Sequence, residues 1–376
     1  MNPRQRYLET LLFGSPDRVP LLPGGPREST LAAWHRQGLP EGRHYLDELS
    51  ELLDVPREAF EGIRRVPDAF RMIPTFEEKV LEHRNGHYIV QDWMGAITEI
   101  ADVYDYTYIR SAKDFVTRKW HRFPVQGRAD WEGMAWRYDP ADEARFPPSF
   151  WEGCARLEAS GQAVAVSING PFWQMREWLG LENLCLYMVE DPEFIAELAE
   201  FWRCFTLQVL ETILRRVRVD ALMVSEDMAY KAHSMISPAM ARRFLQPAYL
   251  SWRDLIRRYG VSLYDMDSDG SIEELIPVWI ESGFNCCNPI EVAAGNDLVA
   301  FRRRFGRQMA YHGGIDKRAI AAGGEVMCVE VLRVVPPLFE QGGYIPGCDH
   351  GVPPDISWPA FVEYTRLLAE LTGWRS

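Results

Sequence analysis

From about residue 160 onward the chain alternates short apolar runs with longer amphipathic ones. The apolar runs fall at 163–168, 221–224, 261–266, 284–289, 308–311 and 344–346. They are too short for helices and mainly apolar, as parallel strands covered on both faces are. The stretches between them carry helix start and stop signals. Asp191-Pro192 and Ser237-Pro238 each put a capping side chain before a proline in the first helical turn. Ser271-Ile272-Glu273-Glu274 reads as a capping box, and Gly283 as the stop of that helix. Ser357 and Pro359 open a last helix, 360–371.

The first part of the chain is patterned differently. Residues 3–13 predict an amphipathic helix closed by Gly14, and 19–22 a short strand. Helices are expected at 29–37, stopped by Gly38, and at 46–53. Residues 79–82, the turn Asn85-Gly86 and residues 88–93 make a hairpin signal. Further strand-like runs lie at 96–100 and 106–109, so 73–125 reads as a small antiparallel insertion, and 126–150 as a long connection. One more strand near 62–75, with 19–22 and the six later runs, would give the eight of a (β/α)8 barrel. The fold expected is a distorted α/β barrel of the TIM type, one domain over residues 1–376, with an N-terminal helical and antiparallel-hairpin insertion.

Composition narrows the function. The 376 residues suit a barrel with added segments, and 47% apolar residues supply a large core. The net charge of −13 argues against nucleic-acid and anionic-membrane partners. The seven cysteines include no C-x-x-C pair, and Cys286 and Cys287 are adjacent, a pattern of a reducing compartment. The N-terminus is amphipathic rather than a signal sequence, and no apolar run is long enough to span a bilayer. The expected setting is cytoplasmic.

Residues just after barrel strands face a common mouth. Here they are Asn169, Phe172 and Trp173; then Glu226 and Asp227; then Asp267 and Asp269; then Glu291; then His312, Gly313, Gly314 and Asp316; and finally Cys348, Asp349 and His350. Neighbouring carboxylates raise one another's pKa and can divide acid and base roles, and His350 can shuttle a proton near neutral pH. Asp267, Asp269, Glu291 and Cys348 are candidate ligands for a divalent metal such as zinc. Each carboxylate also has a plainer use as a helix cap, Asp316 above all. Phe172 and Trp173 could line a pocket or pack under a helix. The aromatics Trp93, Tyr104 and Tyr106 could cap the cleft or form a homodimer surface.

Several stretches resemble the uroporphyrinogen decarboxylase superfamily. They are Arg4–Arg6 with Pro16-Asp17-Arg18-Val19-Pro20, Ser237-Pro238 with Phe244, Pro247 and Tyr249, Gly313-Gly314-Ile315-Asp316, and His350-Gly351-Val352 before Pro354. The resemblance runs from about residue 3 to 371, and is greatest to members whose fifth strand ends in Asp-Ser-Asp-Gly. It implies a distorted barrel with its cleft at the carboxyl ends of the strands. It also implies one of two chemistries: decarboxylation of uroporphyrinogen III, part of porphyrin biosynthesis, or methyl transfer involving a corrinoid (cobalamin) carrier and zinc. The chain departs from both. Only Arg27 stands where the decarboxylases carry paired arginines, and Asp267-Ser268-Asp269-Gly270 stands where the methyltransferases carry a His-x-Cys zinc pair. The reading carried forward is metal-assisted methyl transfer from a small methylated substrate to a corrinoid, with a corrinoid protein as the candidate partner. Decarboxylation of a porphyrinogen or another carboxylated substrate is the alternative, and a non-catalytic tetrapyrrole-binding barrel a second one. Catalytic candidates are His350, Asp267, Asp227 and Glu226; substrate-binding candidates are Arg27, Asn169, Phe172, Trp173, His312 and Asp316.

Overall fold

The computed structural model describes residues 1–105 and 117–375. Eleven strands are present among them: β1 (Ile63–Arg65), β2 (Lys79–Arg84), β3 (His87–Gln91), β4 (Ile97–Ala101), β5 (Arg118–Arg122), β6 (Ala163–Asn169), β7 (Ala221–Ser225), β8 (Leu263–Asp267), β9 (Cys286–Asn288), β10 (Ala310–Ile315) and β11 (Tyr344–Cys348). Seven of them, in the order β1-β6-β7-β8-β9-β10-β11, form one curled parallel sheet, and β2 to β5 form a separate antiparallel sheet.

Each parallel strand splits its side chains between two environments. One face packs under the outer helices. The other points into the lumen, where Ala165, Ala221, Leu263, Ala310 and Ile345 cluster with Tyr7 and Leu11 of the first helix, Pro3–Leu11. That helix plugs the floor of the barrel. It starts with a capping box between Asn2 and Gln5, and its Arg4 grips the buried Asp220 just before β7 at 2.6 Å. On the outside, Pro192–Leu214 presents Ile195, Leu198, Trp202, Val209 and Ile213 as one buried stripe. Asp191 caps its N-terminus by accepting from the Phe194 N–H, and Trp202 Nε1 donates to the carbonyl of Asn169, the last residue of β6.

The barrel is not closed by a hydrogen-bonded ladder. Residues 19–22, expected as its first strand, run extended along the gap between β11 and β1 but join no ladder. The reason is proline at 20, 23 and 26, which removes every third donor. Separate hydrogen bonds hold the segment instead: Leu21 N–H to the Ala59 carbonyl, Cys348 N–H to the Pro23 carbonyl, and Trp374 Nε1 to the Val19 carbonyl.

Other boundaries also differ from expectation. The capping box at Ser271 does not form: the helix is Ile276–Ser282, and Glu274 accepts a hydrogen bond from Ser234 Oγ instead. Residues 126–150 are largely helical, with Arg128–Met134 and two short 3-10 turns ahead of Pro148–Ala159. The predicted hairpin is present, with Asn85 and Gly86 at φ 50° and 75°, the left-handed pair that such a turn needs. The strand expected at 106–109 lies outside the described residues.

Gly313 and Gly314 lie inside β10 rather than after it. At Gly313 φ is +93°, and a Cβ there would sit 2.4 Å from the Pro289 carbonyl oxygen. Two strand ends therefore approach closely only because this residue is glycine. Gly313→Ala is expected to cost roughly 2–4 kcal/mol, from the strained φ and the backbone clash together. Gly38→Ala, at a positive φ but in open space, is expected to cost only about 1 kcal/mol. Urea denaturation of the two variants measures the difference.

Candidate active site

The upper lumen is polar because the inward parity of the strands continues upward. Above Ala165, Ala221 and Leu263 come Ser167 and Asn169, Met223 and Ser225, and Asp265 and Asp267; β9 adds Asn288 and β10 adds His312. Asn169, Ser225 and Asp267 lie side by side on neighbouring strands, and Ser225 Oγ donates to Asp267 Oδ2 at 3.0 Å.

These acids are desolvated by the barrel wall. Burial, with the repulsion of Asp227 and Asp269 added, pushes the Asp267 carboxyl up to about 6 against the bonds from Ser225 and the charge of Arg65. Burial pushes Asp265 up to about 7, although Asn288 Nδ2 donates to both its oxygens at 3.1 and 3.0 Å. Asp265 is thus about half protonated near neutral pH, and Asp267 holds its proton only below about pH 6.

The Asp-Ser-Asp-Gly stretch divides its labour. Asp267 faces the lumen. Ser268 is buried and its Oγ accepts from the Met228 N–H at 3.2 Å. Asp269 donates its own N–H to Asp227 Oδ1 at 3.2 Å and pairs with His350 Nε2 at 3.0 Å. A Cβ on Gly270 would sit 2.5 Å from the Ala229 backbone, so glycine is needed there for packing. Asp227 has φ +42°, a strained value for a non-glycine residue, and its carbonyl accepts from Arg176 Nη1 at 2.9 Å. Burial and then Asp269 raise the Asp227 pKa. The bond to Asp269 raises that of His350, and Arg27 Nη2 stands 3.5 Å from His350 Nδ1. Asp227, Asp267, Asp269, His350 and Arg27 therefore gather at one side of the mouth.

Other candidates are placed elsewhere. Glu226 is fully buried: it accepts from the Trp173 N–H at 2.9 Å and from the Tyr249 hydroxyl, capping the helix Pro171–Leu179 from a different strand. A Cβ on Gly170 would fall on its carboxylate, so that glycine opens the slot it fills. Phe172 is core. The Trp173 indole donates to Glu177 at 2.8 Å. Asp316 caps the next helix by accepting from the Arg318 N–H at 2.8 Å. Glu291 pairs with Lys317 Nζ at 3.0 Å. Cys348 has the outward parity of β11, packs in the outer core, and burial pushes its thiol up to about 12. Asp349 is buried and accepts from the N–H groups of Val292 and Lys317 at 2.9 and 3.1 Å, tying two loops together. His312 lines a separate cavity of about 290 Å³ beside the 19–25 segment, and burial lowers its pKa to about 4, so it is neutral.

The metal set expected from the sequence does not assemble. Among the described residues no three His, Cys, Asp or Glu side chains converge as ligands. Glu291 is engaged by Lys317 and Cys348 faces the helices, so of the expected set only Asp267 and Asp269 lie in the cluster, where His350 is paired with Asp269.

A larger cavity, about 620 Å³, adjoins the acid cluster on the β1–β6 side. Arg65, Arg71, Ser167, Asn169, Glu177 and Trp93 are among its walls. Burial pushes Glu177 up to about 7, with the Trp173 bond opposing. Of these residues the sequence had flagged only Asn169 as substrate-binding and Trp93 as a cleft residue. The i, i+2 spacing of Asp265 and Asp267 was the available sign that both face one side.

The same fold extends over the whole chain in a solved methyltransferase from Methanosarcina mazei, with a TM-score of 0.60 and 14% sequence identity, covering 100% of this chain and 99% of that one. At that identity the likeness speaks for the fold alone. No family model and no curated protein matches the sequence. No helix among the described residues is long and apolar enough to cross a membrane.

The raised carboxyls have a consequence for stability. The folded-state pKa of Asp265 lies above its ordinary 3.8. The folded protein therefore keeps a proton that the unfolded chain has lost. The resulting stabilisation is complete below about pH 4 and disappears as the pH rises through about 7. Asp265→Asn, which cannot ionise, is expected to melt a few degrees above the parent at pH 8 and close to it at pH 5. Melting curves at the two pH values give the comparison.

Proposed function

We propose that the chain is a methyltransferase that takes a methyl group from a small methylated substrate, with the Asp267 carboxyl acting as general acid on the leaving heteroatom. The observation that carries this is Asp267 itself: an inward carboxyl with its pKa pushed to about 6, hydrogen-bonded by Ser225 and repelled by Asp227 and Asp269. A methyl group leaves an oxygen, nitrogen or sulfur only if the electron pair left behind is neutralised, by a Lewis acid or a proton. Asp267, buried in the lumen and hydrogen-bonded by Ser225, is placed to supply that proton.

In the step proposed, the carbon–heteroatom bond breaks, its pair stays on the heteroatom, and the Asp267 proton passes to that atom. The methyl goes to a nucleophilic acceptor, for which a reduced corrinoid is the co-substrate we propose. Asp267 is left as a carboxylate, and Asp227, Asp269 and His350 form the route by which it regains a proton from solvent. The fold shared with a methyltransferase agrees with this reading.

Decarboxylation is the second reading, favoured by Arg65 in the same lumen, whose charge acts on both Asp265 and Asp267. There the same acid would protonate the carbon that has lost carbon dioxide.

The test presents the chain with reduced cobalamin and, in turn, a methyl ether, a methylated amine and a methyl thioether, following methylcobalamin by its absorbance. Carbon dioxide release from carboxylated substrates runs in parallel. The expected methyl-transfer rate is highest below about pH 6 and falls about tenfold per pH unit above it, as Asp267 loses its proton. Asp267→Asn is expected to lower the rate by roughly 10²–10⁴ and to flatten that profile. Carbon dioxide release without methyl transfer would replace the first reading by the second.

A further inference from the structure

Most arginines near the barrel are matched with acceptors. Arg4 holds Asp220, Arg6 holds Asp17, Arg64 donates to Gln162, and Arg145 donates to the carbonyls of Ala69, Arg71, Arg137 and Asp139. Arg65 and Arg71 are different. Both residues line the 620 Å³ cavity, both are exposed, and neither makes a side-chain hydrogen bond or ion pair with a described residue. Arg65 has the inward parity, paired with Ala165 on β6.

The rest of the cavity limits what two unmatched guanidiniums can hold. Its walls include Val66, Met72, Trp93, Tyr138 and Trp178, apolar surfaces suited to a flat or compact body. The acidic residues Asp68 and Glu177 also line it. Asp68 is already committed to the Phe70 N–H at 2.8 Å. A dianion such as phosphate would meet these acids at close range. A single carboxylate gains bidentate, charge-assisted bonds from the arginines with less repulsion. The cavity's inner edge is Ser167 and Asn169 on β6. Asp267 stands two strands away, at roughly 10 Å for two inter-strand spacings.

We propose that this cavity binds a small monoanionic carboxylic acid with an apolar body, Arg65 and Arg71 holding its carboxylate and Trp93 covering the body, so that its other end reaches Asp267. The binding claim stands on the cavity alone; only the last clause rests on the catalytic reading above.

The test is direct binding to the full chain, by calorimetry and by quenching of tryptophan fluorescence, since Trp93 and Trp178 lie in the cavity wall. Benzoate and cyclohexanecarboxylate are the probes, with benzamide and inorganic phosphate as the neutral and dianionic controls. Both carboxylates are expected to bind at least tenfold more tightly than either control. Arg65→Gln and Arg71→Gln are each expected to weaken benzoate at least tenfold while leaving benzamide unchanged, in proteins that melt like the parent. Should Arg65→Gln fail to fold, Arg71→Gln decides alone, because that side chain makes no contact that holds the fold. Benzamide binding as tightly as benzoate, phosphate competing equally well, or parent-like benzoate affinity in Arg71→Gln would each overturn the proposal. Carboxylate binding without methyl transfer or carbon dioxide release leaves this inference standing and removes the catalytic one. Turnover of neutral substrates without carboxylate binding does the reverse.

Discussion

A parallel strand gives alternate side chains to the lumen and to the surrounding helices, and that alternation decides what this barrel holds in its interior. Low in the lumen the inward positions are alanine, leucine and isoleucine, sealed from below by Tyr7 and Leu11. Two to four residues higher the inward positions include Asp265, Asp267, Ser225, Asn169 and Asn288. Protein walls desolvate these groups, so ionising any one of them is unfavourable and each further charge costs more. Arg65 is the positive charge set against them from β1. The proton-holding character of the site thus follows from strand register before any single contact is considered.

A second dependence runs through Glu226. Its carboxylate lies in a slot opened by Gly170, caps the helix Pro171–Leu179 and accepts from Tyr249. That helix carries Glu177 and Trp178 in the cavity wall, and its Arg176 holds the carbonyl of the strained Asp227. The wall of the cavity and the rim of the acid cluster are therefore tied together through one helix, with the buried Glu226 at its N-terminus.

The alternation of strand and helix was legible because strands covered on both faces must be apolar throughout. The runs at 163–168, 221–224 and 344–346 correspond closely to β6, β7 and β11. The first strand was not legible, because Val19, Leu21 and Leu22 satisfy the apolar pattern while Pro20 and Pro23 remove the donors a ladder needs. Nor could the carboxylates be sorted. Asp267, Asp316, Glu226, Glu291 and Asp349 all end or follow strands. What separates them is whether a lumen, a helix N-terminus, Lys317 or a pair of loop amides lies opposite, and the chain brings those partners from 2 to 57 residues away. Arg65 and Arg71 were harder still, since the strand that carries Arg65 is three residues long.

The proline-bearing segment between β11 and β1 turns the barrel into a split ring. A closed ring of strands changes its girth only by shearing every ladder at once. A split ring has one soft place, held here by a few separate hydrogen bonds and by Leu22 resting against Gly62. Any change of girth would fall there, on the opposite flank of β1 from the large cavity, and would leave intact the ladders from β6 to β11 that hold the acids in register.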